Sequence, residues 1–159
     1  MVKEKVKIRF IKKKSQKTEC AAKILQALPE WFNDASANEK YIEELKSLPF
    51  WGAFNEKNEC VGFFSVKIHF GQTGEILVCG VLSEYQGNKV GSELYSQVEA
   101  YLKKNKCQYC VVKTLSDSVA YEPYEKTRKF YSSRGFEKLM VFDDYWAPDS
   151  PCLIMIKSL

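Results

Sequence analysis

A chain of 159 residues can bury roughly two-thirds of its unfolded surface in one domain, without disulfide staples. With 45% hydrophobic and 28% charged residues, the composition excludes a disordered chain, and no run of about 18 apolar residues exists to span a membrane. The net charge of +4 is mild; its N-terminal cations alternate along a predicted strand with no aromatic stacking platform, so nucleic-acid binding is not expected.

In chain order, residues 5–12 read as a first strand, because Lys3, Lys5, Lys7 and Arg9 alternate with Val6, Ile8 and Phe10. That strand is either a solvated edge or a basic patch for a nucleotide or an acidic partner. Thr18–Ala27 and Ala35–Leu48 are predicted helices around the aromatic turn Leu28-Pro29-Glu30-Trp31-Phe32. Phe50–Phe54 and Cys60–Phe70 form a predicted hairpin turned by Glu56-Lys57-Asn58-Glu59. Glu75–Leu82 is a fourth strand, and its run Ile76-Leu77-Val78-Cys79 suits a central position covered on both faces.

Asn88–Lys104 is predicted as a helix from the spacing of Val90, Leu94, Val98, Tyr101 and Leu102. Tyr109–Thr114 is a fifth strand. Pro123 suits the first turn of a last helix that runs to about Arg134 and stops at Gly135. Phe136–Phe142 and Cys152–Ile156 complete a single α/β domain over residues 1–159, with a mixed sheet.

Cys20, Cys60, Cys79, Cys107, Cys110 and Cys152 lie mostly in apolar segments, where a reduced thiol behaves as a small hydrophobe. The start Met1-Val2-Lys3-Glu4-Lys5 lacks the apolar stretch of a secretory signal, so a cytoplasmic location is expected. Cys107 and Cys110 have no second pair, and His69 is the single imidazole, so no metal is expected.

The segment Val81-Leu82-Ser83-Glu84-Tyr85-Gln86-Gly87-Asn88-Lys89-Val90-Gly91-Ser92 runs from a buried strand through a glycine turn into an amphipathic helix. Unpaired N–H groups at such a turn, with the helix dipole behind them, favour phosphate by about 0.3–2 kcal/mol per contact. The segment resembles the acetyl-CoA pyrophosphate loop of the GNAT acetyltransferases, with Gln86 at its first position, Gly91 at its last and Lys89 in place of an internal glycine. Downstream, Phe130-Tyr131-Ser132-Ser133-Arg134-Gly135-Phe136 resembles the family's Phe-Tyr-x-x-x-Gly-Phe signature. Tyr124 and Thr127 stand where the family frequently has Asn and Ala.

The resemblance implies a mixed, mostly antiparallel central sheet of about seven strands, flanked by about four helices. It implies acetyl-CoA as cosubstrate, held by Gln86, Gly87, Asn88, Lys89, Val90, Gly91 and Ser92, with an oxyanion-stabilising backbone N–H near Val81 or Leu82 where the fourth and fifth strands part. It implies Tyr131 as the acid that protonates the departing CoA thiolate, and Glu75 as a candidate base; the alternative for Glu75 is a solvated strand-end residue. About 20 Å of extended strand separates Glu75 from Val81, so Glu75 would act through waters or on an amine lying along the strand. Direct transfer is expected, because no histidine stands in a recognisable position to activate Cys79.

The acceptor is expected to be the primary amine of a small cationic molecule. Its pocket would draw on the first two helices, with Trp31, Phe32 and Tyr41, and on a loop between the last two strands, with Asp143, Asp144, Tyr145 and Trp146; Glu122 and Glu125 are further carboxylates for it. The alternatives are a protein lysine or N-terminal acetyltransferase and a non-catalytic acyl-CoA-binding module. Monomer and homodimer both stay open.

Overall fold

The computed structural model describes residues 4–159, so Lys3 of the basic alternation lies outside the described residues. The elements follow as β1 (Lys7–Phe10), α1 (Lys14–Ala27), α2 (Ala35–Leu45), β2 (Phe50–Phe54), β3 (Cys60–His69), β4 (Thr73–Val81), a 3₁₀ turn at Ser83–Tyr85, α3 (Val90–Lys104), β5 (Tyr109–Leu115), α4 (Glu122–Ser133), β6 (Glu137–Ala147) and β7 (Ser150–Ser158). The strands hydrogen-bond in the order β1-β2-β3-β4-β5-β7-β6. Pairs β1–β2, β2–β3, β5–β7 and β6–β7 are antiparallel and β4–β5 is parallel, which is the expected mixed, mostly antiparallel sheet. Contacts divide the chain into two compact units: residues up to Lys67 with Leu77–Tyr101, and Ile68–Ile76 with Leu102–Leu159.

In the first unit, α1 buries Lys17, Cys20, Ala21, Ile24 and Leu25, the recurrence of one helix face. Phe50 and Phe63 stack at 5.2 Å in the core. The first helix starts at Lys14, ahead of the predicted Thr18, because the Lys13 carbonyl already accepts from the N–H groups of Gln16 and Lys17. The second stops at Leu45, short of the predicted Leu48, since Pro49 bars the helical conformation of the residue before it. The freed carbonyls do not go unpaired: the Lys17 ammonium donates to the oxygens of Lys46 at 3.2 Å and Leu48 at 2.6 Å. Burial, and then Lys14, hold that ammonium below its ordinary pKa. At one end of the strand order β1 forms the expected edge, with Arg9 resting 4.7 Å over the Phe54 ring.

In the second unit, the parallel ladder joins Thr73–Ile76 of β4 to Tyr109–Val112 of β5. Close packing sets Gly74, where a Cβ would come within 2.5 Å of the Leu102 side chain. Helix α4 is pinned by Arg128, which is buried and donates to the Leu115 carbonyl at 2.7 Å. It ends as predicted at Gly135, in the left-handed region with φ +97°. The end of the domain departs from expectation. Asp143, Asp144, Tyr145 and Trp146 lie in β6, not in a loop, and the connection to β7 is the short turn Pro148-Asp149. The register slips between Phe142 and Ala147, so this stretch bulges from the ladder instead of leaving it.

Candidate active site

The turn after β4 is built from local bonds. Tyr85 N–H donates to the Leu82 carbonyl at 2.9 Å and Gln86 N–H to the Ser83 carbonyl at 3.2 Å, closing the 3₁₀ turn that the sequence did not suggest. The Gln86 side chain reaches back, its Nε2 donating to the Val81 carbonyl at 2.9 Å. Gly87 then takes φ +80° and Lys89 φ +64°. The second is the position where the resembling loops carry glycine, and a side chain in that conformation costs about 1–2 kcal/mol. The Lys89 carbonyl accepts from Glu93 N–H at 2.9 Å and so opens α3, whose first N–H groups have no partner within the helix. A Cβ on Gly87 would meet nothing within 4 Å, so the turn is open on that side. Leu82 N–H is engaged with the Val61 carbonyl at 2.9 Å; Leu82 and Val90 are themselves buried.

Tyr131 sits on the buried face of α4 with only 3% of its surface exposed. Its ring meets Phe130 and Phe136 edge-on, each at 5.3 Å between centroids. Both halves of the Phe-Tyr-x-x-x-Gly-Phe segment thus hold the tyrosine: the helix presents it, and the left-handed Gly135 folds Phe136 back against it.

Glu75 is not a solvated strand end. It is 7% exposed, with Oε1 2.8 Å from His69 Nε2 and Oε2 3.1 Å from Lys113 Nζ. His69 closes β3 and Glu75 follows the start of β4, and the Gln72 N–H to His69 carbonyl bond closes the tight turn between them. The Lys113 ammonium also donates to the Tyr145 hydroxyl at 3.1 Å and lies 5.1 Å over the Tyr145 ring. Burial lowers the Lys113 pKa, but Tyr145 and Glu75 outweigh it and hold the ammonium above the ordinary lysine value. Neither His69 nor Lys113 was singled out from the sequence as a partner of Glu75. The available signals were a histidine and a glutamate flanking one tight turn, and a single lysine inside the apolar strand Cys110-Val111-Val112-Lys113-Thr114-Leu115.

The family model for the Acetyltransferase (GNAT) family matches residues 19–136, which takes in the turn, Glu75 and Tyr131. The chain belongs to the GNAT acetyltransferase family. It is an enzyme of acetyl transfer. Among solved structures, a GNAT-family protein from Desulfovibrio desulfuricans is similar with TM-score 0.81 and 16% identity over 97% of this chain and 99% of that one. A GNAT acetyltransferase from Elizabethkingia anophelis, solved with acetyl-CoA bound, matches with TM-score 0.73 and 17% identity over 99% of this chain and 100% of its own. An aminoglycoside 6'-acetyltransferase of type Ii matches with TM-score 0.74 and 23% identity over 96% of each chain. At these identities the likeness establishes the fold. The comparison with curated proteins gives no match. Among the described residues no helix of this GNAT chain is long and apolar enough to cross a membrane.

Proposed function

We propose that this GNAT enzyme transfers the acetyl group of acetyl-CoA directly to a primary amine of a small cationic molecule in the cytoplasm. The observation that carries the reading is the preset turn from Gln86 to Ser92, with two left-handed residues and an open side at the head of α3. Gln86, Gly87, Asn88, Lys89, Val90, Gly91 and Ser92 would hold the pyrophosphate, and the Lys89 ammonium adds a cation there.

At pH 7 an ordinary alkylamine costs roughly 4.6 kcal/mol to deprotonate, so a proton acceptor is needed. Glu75 fills that role through bridging water. The amine nitrogen then bonds to the acetyl carbon, the carbon–sulfur bond breaks, the Tyr131 hydroxyl gives its proton to the departing thiolate, and the second proton shed by the nitrogen as it becomes an amide restores the phenol through solvent. The Val81 backbone N–H would stabilise the negative oxygen that develops on the carbonyl.

A small cationic acceptor is favoured by the aromatic and acidic composition of the β6 bulge, where Asp143, Asp144, Tyr145 and Trp146 lie together in sequence and Tyr145 already rests against an ammonium group. The aminoglycoside 6'-acetyltransferase likeness agrees with that class. Thiol release from acetyl-CoA, measured against polyamines, aminoglycosides, amino acids and lysine peptides, tests the proposal. Release with a polyamine or aminoglycoside is expected. Release with lysine peptides alone would move the acceptor to proteins, and CoA binding without any release would leave a non-catalytic module.

A further inference from the structure

We propose that Tyr85 is a positioning residue for acetyl-CoA, its hydroxyl locking the 3₁₀ turn Ser83–Tyr85 and thereby setting the phosphate turn that follows. The role rests on the reading that CoA binds that turn. The Tyr85 hydroxyl donates to Glu4 Oε2 at 2.8 Å and accepts from Asn55 Nδ2 at 3.2 Å. Glu4 is in turn held by its other oxygen, which accepts from Glu56 N–H at 3.3 Å. Asn55 is held more firmly: its Oδ1 accepts from the N–H groups of Lys57 at 3.0 Å and Glu59 at 2.9 Å, and its own N–H donates to the Glu59 carbonyl at 3.0 Å. One phenol therefore ties the start of the phosphate turn to the β2–β3 hairpin and to the segment before β1.

Such a tie matters because the segment has little else to fix it. A 3₁₀ turn of three residues has poor hydrogen-bond geometry, and exposed turns of this kind open at low free energy. Beyond it the chain must hold Gly87 and Lys89 in left-handed conformations, the second against its own preference. With the turn fixed beforehand, the ordering does not have to be supplied by the binding of CoA, and affinity rises accordingly. One surface hydrogen bond of this sort corresponds to about a 3- to 10-fold change in affinity.

Tyr85→Phe, Glu4→Ala, Asn55→Ala and the conservative Glu4→Gln test the role in the full chain, by amide hydrogen exchange of residues 86–92 without cofactor and by calorimetry with CoA. Faster exchange of the turn and about 3- to 10-fold weaker CoA binding are expected for Tyr85→Phe and Glu4→Ala, with the acetyl-CoA KM rising by the same factor and kcat changing far less. Glu4→Gln retains an acceptor oxygen and should restore most of the affinity. Unchanged exchange in Tyr85→Phe would show that no lock exists, and faster exchange with wild-type affinity would show that the lock does not position CoA. A wild-type chain that binds no CoA would remove the cofactor reading and the positioning role together, a result distinct from either.

Discussion

Lys113 Nζ lies 3.1 Å from Glu75 Oε2, so the candidate base of this enzyme is already half of an ion pair. Glu75→Gln removes the acceptor and leaves the shape. The rate should fall most near neutral pH and recover in part as rising pH deprotonates the amine without help. The substitution also removes the charge partner of Lys113, which keeps only Tyr145 and a neutral amide oxygen, so the melting temperature should drop. A pH–rate profile parallel to wild type at every pH, with only the melting temperature lowered, would assign Glu75 to structure alone.

The same pair makes a prediction in alkali. Lys113 has a raised pKa in the folded enzyme, from Tyr145 and Glu75 acting against burial. A group raised in this way contributes stability that is fully present below the ordinary lysine value and is lost as pH rises through the folded value. Wild type should therefore lose stability above about pH 10.4, and Lys113→Met should flatten that decline. Urea midpoints across pH 8 to 11 that decline equally in both proteins would count against the pair.

Most of the fold was legible because periodicity reports burial. Val90, Leu94, Val98 and Leu102 recur at helical spacing and are all buried, and the apolar run Ile76-Leu77-Val78 falls in a central strand. The limits of elements were less legible where a distant group decides them. Pro49 announces that α2 must stop, but the carbonyls of Lys46 and Leu48 beyond Leu45 are taken by Lys17, a partner on another helix that no local pattern announces. The aromatic stretch Tyr145-Trp146 reads as loop because Asp143 and Asp144 precede it, whereas bulging lets β6 absorb those residues without ending. In the candidate site, the turn and Tyr131 were singled out through motifs. His69, Lys113, Tyr85 and Glu4 were not, because each meets a side-chain partner that only the folded chain brings near.

At the phosphate turn, Gly91→Glu adds bulk and a negative charge where the pyrophosphate would sit, and acetyl-CoA binding should be lost while the protein stays folded. Lys89→Gly separates two effects. Glycine relieves the left-handed strain of about 1–2 kcal/mol but gains freedom when unfolded, so a net stabilisation of up to about 1 kcal/mol, or roughly 2–4 °C, is expected. If the lysine also meets the phosphates, CoA affinity falls and loses part of its salt dependence. Calorimetry that finds wild-type affinity in a folded Gly91→Glu protein would place the pyrophosphate elsewhere.

Tyr131→Phe addresses the acid. The ring is 3% exposed and packs edge-on against Phe130 and Phe136, and phenylalanine keeps that packing. Acetyl-CoA affinity should therefore stay close to wild type, and the protein should stay folded. What is lost is the hydroxyl, and with it, in the proposed reaction, the proton for the departing thiolate. Removing a positioned proton donor lowers turnover by about 10²- to 10⁴-fold. The loss should appear in kcat and kcat/KM together, because the hydroxyl is needed when the carbon–sulfur bond breaks and not when acetyl-CoA binds. Single-turnover measurement with saturating acetyl-CoA isolates that step from product release. A chemical step at the wild-type rate in a folded Tyr131→Phe protein would leave the thiolate to be protonated by water, and would reduce Tyr131 to the aromatic packing that holds α4 against Phe136.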